Sequence, residues 1–185
     1  MNLITHVSLG LILTLLVYNY LPAGSNLNTL LIIAAFGSLL PDIDHPKAYL
    51  SRSHLLLQGG SHLVEALAHH RGITHSLLAL IAFTCLSIAG LIYYQQALIL
   101  ALPFFIGYLS HLLADSLNPS GVKWFQPLSH WTLRLNARIW IIPIKITTGS
   151  LLERLLGLSL GAVFIYLYLK QTGHTIRLDD FLPRF

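Results

Sequence analysis

No lysine, arginine, aspartate or glutamate precedes Asp42, and that uncharged stretch holds two apolar blocks, 3–21 and 27–40, parted by the turn-like PAGSN. A chain that opens this way cannot cover itself in water. Charged residues make up 10% of the whole, against about 25% in an ordinary soluble domain, so lipid must cover part of the surface. Further charge-free spans run over 76–94 and 97–114, with YYQQ at the turn between them, and a fifth candidate, 151–169, carries Glu153 and Arg154 near its start. A span of roughly 19 residues reaches about 28 Å, close to the ~30 Å hydrocarbon thickness. The first block lacks the basic flank and small-residue cleavage site of a secretory signal, so it reads as a retained helix. The expected fold class is all-α: one integral membrane domain, a polytopic helical bundle of four to five transmembrane helices.

Charge asymmetry sets the expected orientation. The short turns 22–26 and 94–96 hold no Lys or Arg, whereas the long connections on the other face hold Lys47, Arg52, Arg71, Lys123, Arg134, Arg138 and Lys145. By the positive-inside rule that second face, with the N-terminus, is cytoplasmic. Lys170, Arg177 and Arg184 would fall on the opposite side if the fifth span crosses. RIWIIPIKI (138–146) is apolar but broken by Pro143, and reads as an interfacial segment. The single cysteine, Cys85, excludes an intrachain disulfide and a cysteine-rich zinc module, and should pack as a small apolar residue.

The unusual polar residues gather at the cytoplasmic face in this topology. His6 opens the first helix; Asp42 and Asp44 in PDIDH follow the second; His70 and His75 in HRGITH lead into the third; His111 and Asp115 end the fourth. Four chain segments thus deliver imidazoles and carboxylates to one membrane depth. His111 and Asp115 are four apart and share a helix face. His6 stands on an otherwise apolar helix and needs a partner, since an unpaired polar group in hydrocarbon is costly. Each residue alone has a plain reading as a solvated interface group or a turn former, but the joint placement favours a shared site. His54, His62, His130 and His174 read as surface residues. Trp124, Trp131 and Trp140 read as an interfacial belt.

Mixed imidazole and carboxylate donors suit zinc first, with manganese or iron as alternatives, and suit magnesium or calcium less. The candidate ligands exceed what one tetrahedral zinc uses, so one or two ions are expected. Paired ions activate water and clamp the oxygens of a phosphoester. Arg71 beside the ligand run can hold a phosphate through its forked donors, and Asp42 and Asp115 are the candidate catalytic carboxylates. No nucleophile elbow, phosphate-binding glycine loop or dinucleotide fingerprint is present.

Thr5–His6, GSLLPDIDHP (37–46), HRGITHS (70–76) and GYLSHLLADSLNPSGV (107–122) resemble the YdjM-like family of bacterial inner-membrane metal-dependent hydrolases over roughly residues 5 to 128. The resemblance implies a multi-pass protein of the bacterial inner membrane. A fainter similarity to zinc-dependent phospholipase C implies His6, Asp42, one of His70 or His75, His111 and Asp115 as ligands, with Asp115 bridging. NPSGVKWFQPL, after Asp115, lacks the histidines of that group's third metal, which leaves two ions at most. The expected activity is hydrolysis of a phosphoester in a membrane lipid or lipid-linked phosphate. An ion or proton transporter using the same cluster, and a non-catalytic scaffold with a structural metal, are the alternatives. The basic residues are scattered and form no nucleic-acid-binding stripe.

Overall fold

The computed structural model describes residues 2–44, 73–129, 131–134, 138–139, 142–143 and 147–173. Its architecture is helical. Helix α1 spans Leu3–Tyr18, and the side chain of Asn2 caps it by accepting from the Thr5 amide. It stops short of the expected residue 21 because Pro22 cannot continue a helix and biases the residue before it away from helical geometry. Helix α2 spans Leu27–Leu39 under the equivalent cap from Asn26. Leu40–Asp44 then tightens into a 3-10 turn. A second 3-10 turn, Ile73–His75, leads into helix α3, Leu77–Tyr93, whose cap is Ser76. Helix α4 covers Ala101–Ser116 after a short 3-10 lead at Leu98–Leu100. Helix α5 covers Leu151–Gln171. Between α4 and α5, Arg138–Ile139 (β1) and Ile142–Pro143 (β2) form a two-residue antiparallel ladder, where the sequence suggested only an interfacial segment.

Length separates the helices into two groups. Leu98–Ser116 and Leu151–Gln171, at 19 and 21 residues, are long and apolar enough to cross a membrane. Helices α1, α2 and α3 have 16, 13 and 17 residues and reach only about 24, 20 and 26 Å. Length alone therefore supports two spans rather than the four to five expected. Neighbours correct a second expectation. Cys85 is exposed on α3 rather than packed inside.

Helix α4 is the hub, packing on α1, α2 and α3. Its contact with α2 is backbone against backbone. A Cβ on Gly107 would overlap the carbonyl of Ala34, and one on Gly37 would overlap the carbonyl of Phe104. Leu80, Tyr108 and Leu112 are fully buried and, with Leu40, Phe104 and Val122, form the apolar core around it. Helix α5 lies along α1 for its whole length. At one end Glu153 Oε1 accepts from the Asn2 amide, and at the other Gln171 Nε2 donates to Asn19 Oδ1 at 2.8 Å. The small-residue pair Gly157 and Gly161 faces Thr5 and Ser8 of α1. The GLSLG motif is thus a helix crossing. The outward face of α5, including Leu151, Leu155, Leu158, Ile165 and Tyr166, is exposed, which suits contact with lipid.

Gly107→Ala must push α2 and α4 apart, since the groups in the way, the Ala34 carbonyl and the Ser38 amide, are both backbone. The expected cost is about 1–3 kcal/mol, read as a lower Tm in detergent. Gly90→Ala is the control: its added Cβ meets nothing, and its Tm should equal or exceed that of the wild type.

Candidate metal centre

The close α2–α4 crossing places the backbone of Ser38 beside the ring of His111. His111 Nδ1 lies 2.7 Å from the Ser38 carbonyl oxygen. A carbonyl only accepts, so Nδ1 donates its proton there, and in the neutral ring Nε2 is left with a free lone pair. Three other segments bring their groups to that lone pair. His75 Nε2, from the 3-10 turn before α3, is 3.3 Å away. Asp42 Oδ1, from the 3-10 turn after α2, and Asp115 Oδ2, one helical turn along α4, are each 3.7 Å away. His6 of α1 stacks on His111 with ring centres 3.7 Å apart and planes within 10°.

The remaining distances close the cluster. His6 Nε2 is 3.3 Å from Asp115 Oδ1, and His75 Nε2 is 3.4 Å from Asp42 Oδ1. Within each of two groups, His6–Asp42–His111 and His75–His111–Asp115, one donor atom per residue lies within 4.8 Å of the others. Three imidazoles and two carboxylates from four parts of the chain converge, as the sequence suggested. Asp44 ends the 3-10 turn by its backbone, but its side chain lies outside the described residues, as do His70 and Arg71.

This donor set fits a cation. Both ring nitrogens of His6 are buried; Nδ1 has no hydrogen-bond partner among the described residues, and Nε2 meets only the Asp115 carboxylate at 3.3 Å. Leaving such a group unsatisfied costs roughly 1–3 kcal/mol, and a ligated ion would remove that cost. Zinc–nitrogen bonds of about 2.0–2.1 Å set the edges of a tetrahedron near 3.3–3.4 Å. The spacings of 3.3 to 3.7 Å match that scale. The buried His/Asp cluster can therefore hold a metal ion.

The surroundings fix the donors. Tyr108 donates from its hydroxyl to the Thr74 carbonyl at 2.6 Å, pinning the turn that carries His75. Asn118 Nδ2 donates to Asp115 Oδ1 at 3.2 Å. Trp124 donates Nε1 to Ser116 Oγ at 2.9 Å. Such hydrogen bonds orient ligands and are worth 10–100-fold in metal affinity, roughly, when lost. Asp42 stands beyond the end of α2. Burial would raise its carboxyl, but the hydrogen bond to His75 and the nearby His111, His75 and His6 rings hold it well below the usual carboxylate range. Its side chain is 35% exposed against 6% for Asp115, which puts Asp42 at the edge of the cluster and Asp115 inside it.

Sequence reasoning missed Ser38, Thr74, Tyr108 and Asn118 because their roles depend on tertiary placement. Glu153 carried a readable signal: an acid in an apolar helix, three residues after Ser150 in the S-x-x-E pattern of a capping box.

Elemental analysis of detergent-purified protein should find a divalent transition metal, and Asp115→Ala should lose most of it while keeping the helical circular dichroism. A wild-type protein free of metal after purification and zinc reconstitution would remove the centre.

The sequence profile of the YdjM inner membrane protein family matches residues 1–176. Two relatives, the inner membrane proteins YdjM of Escherichia coli (strain K12) and of Shigella flexneri, are each 39% identical over 126 residues. Each alignment covers 66% of this chain and 58% of the relative, so it spans less than two thirds of either relative. No solved structure matches the chain. A membrane-covered helical bundle and a family profile that runs along nearly all of it lead to one statement: the chain belongs to the YdjM inner membrane protein family.

Proposed function

We propose that the protein is a metal-dependent hydrolase of the bacterial inner membrane that cleaves a phosphoester in a lipid or lipid-linked phosphate at the cytoplasmic interface. The observation that carries this reading is the convergence of His6, Asp42, His75, His111 and Asp115 at one end of the bundle, with one partly exposed carboxylate at its edge. His6, Asp42, His75, His111 and Asp115 would hold one or two ions, zinc first and manganese or iron next. When bound, such an ion supplies Lewis acidity, which polarises an electrophile and makes water nucleophilic near neutral pH.

The chain's own residues would do the rest. Asp42, the partly exposed carboxylate at the edge of the cluster, would take the proton of the attacking water. Arg71, close to His75 in sequence, would hold the phosphate by two parallel hydrogen bonds. Asp115, steadied by Asn118, keeps His6 and His111 in register. The transporter alternative has less support. A relay needs polar groups that continue across the bundle, yet the hydroxyls deeper in it are bonded to carbonyls of their own helices. Ser38 donates to Ala35, Ser110 to Gly107 and Thr14 to Gly10.

The membrane arrangement belongs to the same reading. The N-terminus lies in the cytoplasm, and α1 to α4 cross alternately, the shorter helices being met by local thinning or by polar flanks. Because α5 runs parallel to α1 from Asn2 to Asn19, it crosses if α1 does. Reporter fusions should therefore place residues 22–26, 94–96 and the end of α5 outside, and the 45–72 connection inside.

Zinc-loaded protein in lipid vesicles should release phosphate or a phosphorylated headgroup. Asp42→Asn should lower kcat by about 100-fold or more, and Arg71→Ala should chiefly raise KM. Metal-loaded protein that carries ions across vesicles and turns over no lipid or soluble phosphoester would refute the hydrolase.

A further inference from the structure

Glu153 is fully buried, in the first turn of a helix whose outer face is apolar. Its position completes a capping box with Ser150, whose hydroxyl accepts from the Glu153 amide at 3.2 Å. In the usual box the acid returns the bond to the cap residue's amide. Here the Ser150 amide donates instead to the Thr147 carbonyl at 3.0 Å, and the carboxylate is turned toward α1. Oε1 accepts from the Asn2 amide and Oε2 from the Gly149 amide, each at 2.6 Å. Two short charge-assisted bonds make burial of the acid tolerable, but an apolar residue would fill the same space without needing them. What the acid alone supplies is a pair of acceptors that fix two backbone points.

Both points lead to the metal centre. On one arm, Asn2 Oδ1 accepts from the amide and the hydroxyl of Thr5, each at 2.9 Å, and the next residue is His6. On the other, Thr148, beside Gly149, donates to Asn118 Oδ1 across a long 3.5 Å. Asn118 in turn donates to Asp115 Oδ1, the oxygen that lies 3.3 Å from His6 Nε2. The ring of contacts that starts at Glu153 therefore closes on the His6–Asp115 pair from both sides. Gly157 lets α5 come close enough, since its missing Cβ would sit 3.0 Å from Thr5 Oγ1.

We infer that Glu153 is a positioning residue of the metal centre, setting His6 through Asn2 and Asp115 through Asn118. This rests on reading the cluster as a metal centre. The test uses the full chain in detergent, with Co²⁺ as a spectroscopic probe and Zn²⁺ in competition, on wild type, Glu153→Ala, Glu153→Gln and Thr148→Val. Glu153→Ala should weaken metal affinity by about tenfold or more and shift the visible cobalt bands. Glu153→Gln keeps one acceptor and should fall between it and wild type. Thr148→Val touches only the Asp115 arm and should give a smaller shift of the same kind. If Glu153→Ala does not fold, the other two variants carry the test. Folded variants with a lowered Tm but wild-type cobalt spectrum and affinity would make Glu153 a helix clamp and overturn the inference. A wild type that binds neither metal would overturn the metal centre itself, and the inference with it.

Discussion

The hydrogen bond from His111 to the Ser38 carbonyl depends on two glycines, and the rest of the centre depends on that bond. Gly37 and Gly107 let α2 and α4 meet without side chains between them. Only then does a backbone oxygen of one helix reach the imidazole of the other, at 2.7 Å. The carbonyl fixes which nitrogen keeps the proton and the direction in which the other faces. Every other donor is arranged around that direction, from α1, from the two 3-10 turns and from the last turn of α4.

Burial gives the cluster its chemical character. Three imidazoles and two carboxylates crowded to 3.3–3.7 Å bring more lone pairs to one point than their own protons can bridge. His6 shows this most plainly: its Nδ1 has no hydrogen-bond partner among the described residues, and its Nε2 faces only the Asp115 carboxylate at 3.3 Å. The Asp115 carboxylate stands beside one of them, and nothing among the described residues answers the other. A polar cluster short of protons and rich in lone pairs is instead complementary to a positive ion.

Much of this was legible in the sequence, for physical reasons. Charge-free runs report helices that lipid or core must cover, and the ends of α2, α3 and α4 lie within a few residues of the expected limits. Histidines on apolar helices are expensive, so their placement at one depth pointed to a shared site, and His6, Asp42, His75, His111 and Asp115 do meet. What periodicity could not give was the 3-10 geometry at Leu40–Asp44 and Ile73–His75, set by Pro41 and by contacts such as Tyr108 with Thr74. Glu153 escaped for a similar reason. The S-x-x-E pattern marks a helix start, but only the neighbouring α1 reveals that the acid is enclosed.

The pairing of the first helix with the last has a consequence for how the molecule comes into being. A ribosome delivers His6 long before Asp115, and Asp115 before Glu153. Until α4 packs against it, the imidazole of α1 has neither the ring it stacks on nor the carboxylate beside it. Until α5 arrives, the amide of Asn2 lacks its acceptor. The end of the bundle that carries the His/Asp cluster is therefore a product of late assembly, finished from the carboxyl-terminal side, and a nascent chain halted after α3 would carry its earliest imidazole without the groups that surround it.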